Sequence, residues 1–332
     1  MNEHRIVWQK SEITTAKSIT FVKLKILIIT DLLNYKKMVL IVGSTGLVGT
    51  EICRLLAEQK TPFRALVRHD SAPEKVELLK SLGAELVVGD LKDPASLAVA
   101  CAGIDKVIST ASCTLTGREG DSIETVDHQG ELDLVKASKQ AGVKHFVFIS
   151  FPQNKTYPNP LCNAKRAVEE ALADSSKMTG TSLQANYFME IWLSPALGFD
   201  FANAKARIYG SGDSKLSWIS FKDVARFAVA ALDNDYGKDK IVAIGGPQSL
   251  SPKEVIQIFE KIHGKTFEVE HVPESALEQQ KAGSPYPLEQ SFAALMLAYA
   301  NGIGFDMDMS ETAKYVSMPL TSVADYATAT VG

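Results

Sequence analysis

Three glycines stand at residues 43, 46 and 49 in VLIVGSTGLVGTEICRLL (residues 39–56), where an apolar run passes into a helix-like pattern. Gly43 permits a tight turn out of a strand, Gly46 lets a phosphate approach the main chain, and Gly49 lets the following helix pack closely on the sheet. The first turn of that helix presents N–H groups and a partial positive charge to an anion. The loop as a whole (Gly43, Ser44, Thr45, Gly46, Leu47, Val48 and Gly49) is therefore the expected cradle of a dinucleotide pyrophosphate. The alternative is a strand-to-helix turn that uses glycine for packing alone.

Further candidates sit at the ends of the next strand-like runs. Arg68 occupies the position where an NAD site commonly places an acidic residue for the ribose 2′-hydroxyl. A guanidinium instead pairs with a 2′-phosphate and stacks on adenine, which points to NADP(H). Asp70, two residues on, argues against this, and an exposed loop arginine is the alternative. Asp90, in Gly89-Asp90-Leu91, either accepts from the adenine amino group, with Leu91 beside it, or only organises the turn. Ser109, Thr110 and Ala111 are small enough to let a nicotinamide lie across the sheet edge, because ligands bind at the carboxyl ends of parallel strands.

Those positions require strands and helices in alternation. Strand-like runs are MVLIVG (38–43), FRALVR (63–68), AELVVGD (84–90), DKVIST (105–110) and HFVFIS (145–150), short and rich in Val and Ile. Such runs suit strands buried on both faces of a parallel sheet. Helical patterns fall between them at 46–59, 73–82, 94–101 and 122–141, the last stopped by Gly142. The order predicts an α/β fold with a doubly wound parallel sheet (Rossmann type) and a smaller C-terminal α/β substrate lobe. The dinucleotide domain is placed at 38–186. The lobe, at 187–330, is interleaved with the last strands of the main sheet. In the second half the pattern gives a proline-rich loop at 152–160, helices at 163–175, 221–234 and 251–264, and strands at 181–188, 240–246 and 267–272. Residues 1–37 precede the first strand without a signal-peptide layout. They read as a poorly ordered extension, or as sequence upstream of a natural start at Met38.

Composition bounds the function. The chain has 332 residues, 45% of them hydrophobic, with a net charge of -4, so a nucleic-acid footprint is not expected. No segment reaches the roughly 18 apolar residues of a membrane span. The four cysteines Cys53, Cys101, Cys113 and Cys162 form no C-x-x-C pair, and no His spacing completes a metal site. Reduced thiols in the cytoplasm are the plain expectation. Oligomeric state stays open, a homodimer included.

G-S-T-G-L-V-G-T, A-L-V-R, G-A-E-L-V-V-G-D-L and G-V-K-H-F-V-F-I-S, followed by N-P-L-C-N-A-K-R-A-V-E-E-A-L, W-I-S-F-K-D-V-A-R-F-A-V-A-A-L and G-G-P-Q-S-L-S-P-K-E-V, together resemble the NmrA-like group of atypical short-chain dehydrogenases. The resemblance covers about residues 38–330. It implies NADP(H) binding and a substrate lobe. The group includes quinone, azo-dye and isoflavonoid-type reductases, redox sensors without turnover, and photosystem-assembly factors. Typical short-chain dehydrogenases use Ser with Tyr-x-x-x-Lys, the Tyr moving the proton. Ser150 and Lys165 match the serine and the lysine, but Leu161 stands where Tyr belongs. Tyr157, eight residues before Lys165, is the candidate substitute. Lys165 read without the resemblance is a helix-surface lysine paired with Glu169.

Reduction of a quinone needs orientation and a dry apolar pocket more than a dedicated acid. Phe151, Tyr187, Phe188, Met189 and Trp192 are the candidate walls, each with core packing as its alternative. His128 reads either as facing the cleft or as a solvated helix residue, and Asp223 as a helix cap. The expected function is NADPH-dependent reduction of small quinones or related conjugated electrophiles. A cofactor-binding redox sensor is the alternative.

Overall fold

The structure is a computed structural model that describes residues 38–152, 155–233, 238–303, 305 and 317–331. The expected extension at 1–37 lies outside the described residues. From residue 38 onward the chain alternates as the sequence predicts. Strand β1 (Val39–Val42) leads to helix α1 (Leu47–Glu58), β2 (Phe63–Val67), α2 (Pro73–Ser81), β3 (Glu85–Val88), α3 (Pro94–Cys101) and β4 (Lys106–Ser109). A π-helical turn (Ile123–His128) then runs into α4 (Gln129–Ala141), followed by β5 (His145–Ser150), α5 (Pro160–Ala173) and β6 (Thr179–Ala185).

The second half holds β7 (Phe199–Asp200), β8 (Lys205–Tyr209), α6 (Phe221–Ala231), β9 (Lys240–Ile244), α7 (Pro252–His263) and β10 (Glu268–Val272). Helices α8 (Glu274–Gly283), α9 (Pro287–Asn301) and α10 (Val323–Ala329) complete it. Seven strands, all parallel, order as β3-β2-β1-β4-β5-β6-β9, and a small sheet orders as β10-β8-β7. Strand order reverses between β1 and β4. In a doubly wound sheet that switch point opens the ligand crevice at the carboxyl ends.

Burial follows from pattern. All four residues of β1 are buried, as a central parallel strand requires. Helix α1 turns Val48, Ile52 and Leu56 to one face of the sheet, where they share a core with Val224, Phe227 and Ala228 of α6. The opposite face carries Leu97 of α3, Leu134 of α4, and Val168 and Leu172 of α5. The lobe has its own core around Trp218, Phe259, Tyr299 and Phe305.

Two boundaries and one cap that bear on the site differ from expectation. Helix α5 starts at Pro160 rather than 163, because Asn159 caps it by accepting from the Cys162 N–H at 3.0 Å, and Pro fits the first helical position. Strand β6 stops at Ala185 rather than 188. Beyond it the main chain pairs with residue 219 instead (Ile219 N–H to Tyr187 O at 3.0 Å, Met189 N–H to Ile219 O at 2.9 Å), which carries it into the lobe. The cap of α6 is Ser220, accepting from the Lys222 N–H at 3.2 Å. Asp223 is instead fully buried, pairs with Arg226 and accepts from the Thr321 N–H at 2.7 Å, tying the C-terminal segment to α6.

Candidate functional site

A cavity of about 750 Å³ runs from the turn after β1, across the ends of β4 and β5, to the entry of the lobe. Gly43 adopts φ +80°, and a Cβ there would lie 2.5 Å from Thr110 Oγ1 and 2.9 Å from the Ala111 nitrogen. A Cβ at Gly49 would lie 2.1 Å from the Gly43 carbonyl oxygen. Both positions are therefore closed to any side chain. No side chain caps α1 at Gly46, and Gly46, Leu47 and Val48 line the cavity beside Gly43 and Thr45. A bare main-chain cradle at an uncapped helix N-terminus fits a phosphate group.

Two of the seven loop residues do not line the cavity. The Ser44 side chain is fully buried and donates to Leu66 O at 2.7 Å, so it ties the turn to β2. Gly49 is buried under the turn, where its role is close packing.

At one end of the cavity Arg68 is held by charge. Its Nη1 lies 2.7 Å from Asp121 Oδ2, and Asp70 is 3.9 Å away. Lys92 Nζ takes the other Asp121 oxygen at 2.6 Å. Burial works against the Asp121 carboxylate, but hydrogen bonds from Lys92 and Arg68 hold it below the usual carboxylate range. Arg118, on the same loop, pairs with Asp70. Arg68, Arg118, Lys75 and Asp121 all line the cavity. Asp90 and Leu91 line it too, and Asp90 also organises its turn by accepting from the Lys92 N–H at 2.9 Å.

At the other end Thr110, Ala111, Ser150, Phe151 and Lys165 come together. Ser109 does not reach the cavity: it is fully buried, and its hydroxyl donates to Glu131 at 2.5 Å. Ser150 Oγ accepts from Arg166 at 2.8 Å. Lys165 is not paired with Glu169, which Arg166 takes at 2.8 Å. Its ammonium lies 3.2 Å from Asp127 Oδ1, donates to Ala111 O at 3.4 Å, and sits 4.9 Å over the Phe148 ring. Only 7% of the Lys165 side chain is exposed, and none of Asp127.

Tyr157, the candidate substitute for the tyrosine, does not line the cavity. Its hydroxyl accepts from Asn301 Nδ2 at 2.8 Å, away from the cavity lining. Burial, with Glu274 and Glu278, pushes its hydroxyl pKa up. Leu161 lines the wall in its place. Tyr187, Phe188 and Trp192 line the wall with Phe151, but the Tyr187 hydroxyl is spent on Leu295 O at 2.7 Å. Met189 is fully buried in the lobe core and does not line the cavity. His128 pairs with Glu124 at 3.0 Å and is likewise absent from the lining.

Sequence reasoning missed Asp121 and Arg118, and also the buried carboxyls Asp127 and Glu131. A signal for the last two was present: with Ile123 and Leu134 they repeat at the spacing of one helix face, and that face is apolar.

The sequence model of the NmrA-like family matches residues 35–327. The chain is 32% identical over 252 residues to an NAD(P)H azoreductase from Xenophilus azovorans, covering 75% of this chain and 82% of that protein. It is 31% identical over 240 residues to a photosystem II assembly factor from Synechocystis, covering 72% of each. Its fold matches an NADPH-dependent quinone oxidoreductase from Escherichia coli, solved with NADPH, with a TM-score of 0.70. That match has 23% identity and covers 89% of this chain and all of the other.

Proposed function

The chain belongs to the NmrA-like family, and from that premise we propose that it is an NADPH-dependent reductase of small quinones or related conjugated or aromatic electrophiles. One observation carries the reading: a single cavity joins the bare glycine cradle, the cation pair Arg68 and Arg118, Lys165, and an aromatic wall. The N–H groups of Leu47 and Val48, in the first turn of α1, would hold the pyrophosphate, and Arg68 the 2′-phosphate. Asp90 and Leu91 would border the adenine, and Thr110 and Ala111 the nicotinamide. Bound NADPH supplies the hydride.

The chain's own residues supply orientation and a proton. Phe151, Phe188 and Trp192 exclude water and offer ring faces to a planar acceptor. Lys165, which lines this end of the cavity, is the proposed acid, in place of a tyrosine. Ser150, held by Arg166, orients the acceptor oxygen. Four buried free cysteines suit a reducing compartment, and we place the protein in the cytoplasm. Among the described residues no helix is long and apolar enough to cross a membrane.

The test is NADPH fluorescence followed over time after a small quinone is added, with NADH in parallel. Protein-dependent loss of signal with NADPH preferred is the expected result. One observation favours a second reading, a cofactor-binding sensor or assembly partner without turnover: Leu161 stands where the proton-moving tyrosine would, and the hydroxyls of Tyr157 and Tyr187 are both engaged elsewhere. An enhanced NADPH signal that no acceptor quenches would select it.

A further inference from the structure

Behind Lys165 lies a buried cluster with one cation and two carboxyl groups. Asp127, in the π-helical turn, pairs with the ammonium and also accepts from the Cys113 N–H at 2.9 Å. Glu131, four residues on, is fully buried. One of its oxygens accepts from Ser109 at 2.5 Å, and the other, Oε2, has no hydrogen-bond partner. Ser109 from β4 bonds it, and the charges that act on it are those of Lys165 from α5 and Asp127 from the π-helical turn. Burial pushes its carboxyl up to about 7, while the Lys165 charge and the Ser109 hydroxyl pull it back. A single lysine cannot compensate two dry carboxylates, and it is Asp127 with which Lys165 pairs, so Glu131 keeps its proton.

We propose that Glu131 is the proton store that reloads Lys165 after it has protonated the reduced substrate. The step deepens the reductase reading above and rests on it. The substrate receives a hydride from the cofactor and a proton from Lys165, whose N–H bond breaks as the O–H bond forms. A neutral lysine would leave Asp127 as a dry, unpaired carboxylate, which is costly. Glu131 then gives up its O–H proton, Lys165 is charged again, and the cluster holds one ammonium and two carboxylates. When product leaves, solvent in the cavity returns one proton to Glu131 by way of Lys165. Each turnover consumes one hydride and one solvent proton. Glu131 does not line the cavity, so it acts through Lys165 as a positioning and supply residue.

The experiment uses the full chain in three forms: wild type, Glu131→Gln and Ser109→Ala. The first readout needs no cofactor. The infrared band of a protonated carboxyl, taken as the wild-type minus Glu131→Gln difference, is expected to titrate near neutrality. The second is the pH profile of NADPH oxidation by a small quinone. Wild-type kcat is expected to fall about tenfold per pH unit above neutrality until a direct solvent route takes over. Glu131→Gln is expected to be slow and flat over that range. Ser109→Ala removes a bond to the charged form and should move the falling limb to higher pH, and it answers the question even if Glu131→Gln does not fold. A Glu131→Gln profile that keeps the wild-type limb, a limb unmoved in Ser109→Ala, or a band that titrates in the ordinary carboxylate range overturns the store alone. No protein-dependent NADPH loss in wild type overturns the reductase reading, and the relay with it.

Discussion

Replacing Gly49 by alanine should damage both the fold and the cradle. An ideal Cβ there lies 2.1 Å from the Gly43 carbonyl oxygen, 2.7 Å from its carbon and 2.9 Å from Ser44 Cα, all of them main chain. Ordinary contact begins near 3.4 Å, so turn and helix must separate by more than about 1 Å. Neither side yields freely. The turn is pinned by Ser44 on Leu66 O and by the Gly46 N–H on Gly43 O at 3.0 Å, and α1 is pinned by fully buried Ile52 and Leu56. Overpacking of this kind costs about 1–3 kcal/mol, and alanine's helix propensity returns about 1. A net loss of up to about 2 kcal/mol is expected in urea unfolding, with unchanged slope. NADPH affinity should fall by about tenfold or more, the value of one lost charge-assisted hydrogen bond. Gly46→Ala is the control: its nearest contact would be 3.3 Å, so stability should change little. A Gly49→Ala protein as stable as wild type, with the same NADPH titration, would refute the interlock.

Other substitutions separate roles within the cluster and the core. Lys165→Met should destabilise by about 3–5 kcal/mol, because it strands the buried Asp127 carboxylate, and adding Asp127→Leu should recover part of that loss in the same urea assay. Recovery of nothing would mean the two are not coupled. Tyr157→Phe should cost about 1 kcal/mol, one hydrogen bond from Asn301, and leave NADPH oxidation unchanged; a collapse in turnover would reinstate Tyr157 as the acid. Burial lowers the His145 pKa from 6.5 to about 4, so the unfolded chain binds the extra proton between those values. Wild type should therefore lose up to about 3 kcal/mol as pH falls through that window, and His145→Gln should lose less. Equal slopes in thermal melts from pH 4 to 7 would exclude the histidine.

The first half of the fold was legible because its punctuation is local. Gly43, Gly142 and Asp93-Pro94 mark turns and a helix start, and the strands between them are short runs rich in Val, Leu and Ile. Pro160 was misread as loop because proline opens helices as readily as it breaks chains, and only the Asn159 cap decides which. The alternative reading of Lys165 paired it with the residue one helical turn away, since spacing reveals only local pairs. The real partner, Asp127, comes from another element, as does Asp121 for Arg68. Helices α8, α9 and α10 carry weaker signals, because their burial is set by lobe packing rather than by a repeating stripe.

The path of the last sheet strand has a kinetic consequence. Strands β6 and β9 are parallel neighbours, yet residues 186–239 lie between them and build part of the lobe and α6. Closing so long an excursion carries a loop entropy that local contacts must offset first. Strand β9 should thus join late in refolding, after β1 to β6 have paired. Until then the β6 edge, with Gly180 to Leu183 buried in the finished fold, is an unprotected template for other chains. Refolding yield should then fall with protein concentration. Pulse-labelled amide exchange should find β9 among the last strands protected.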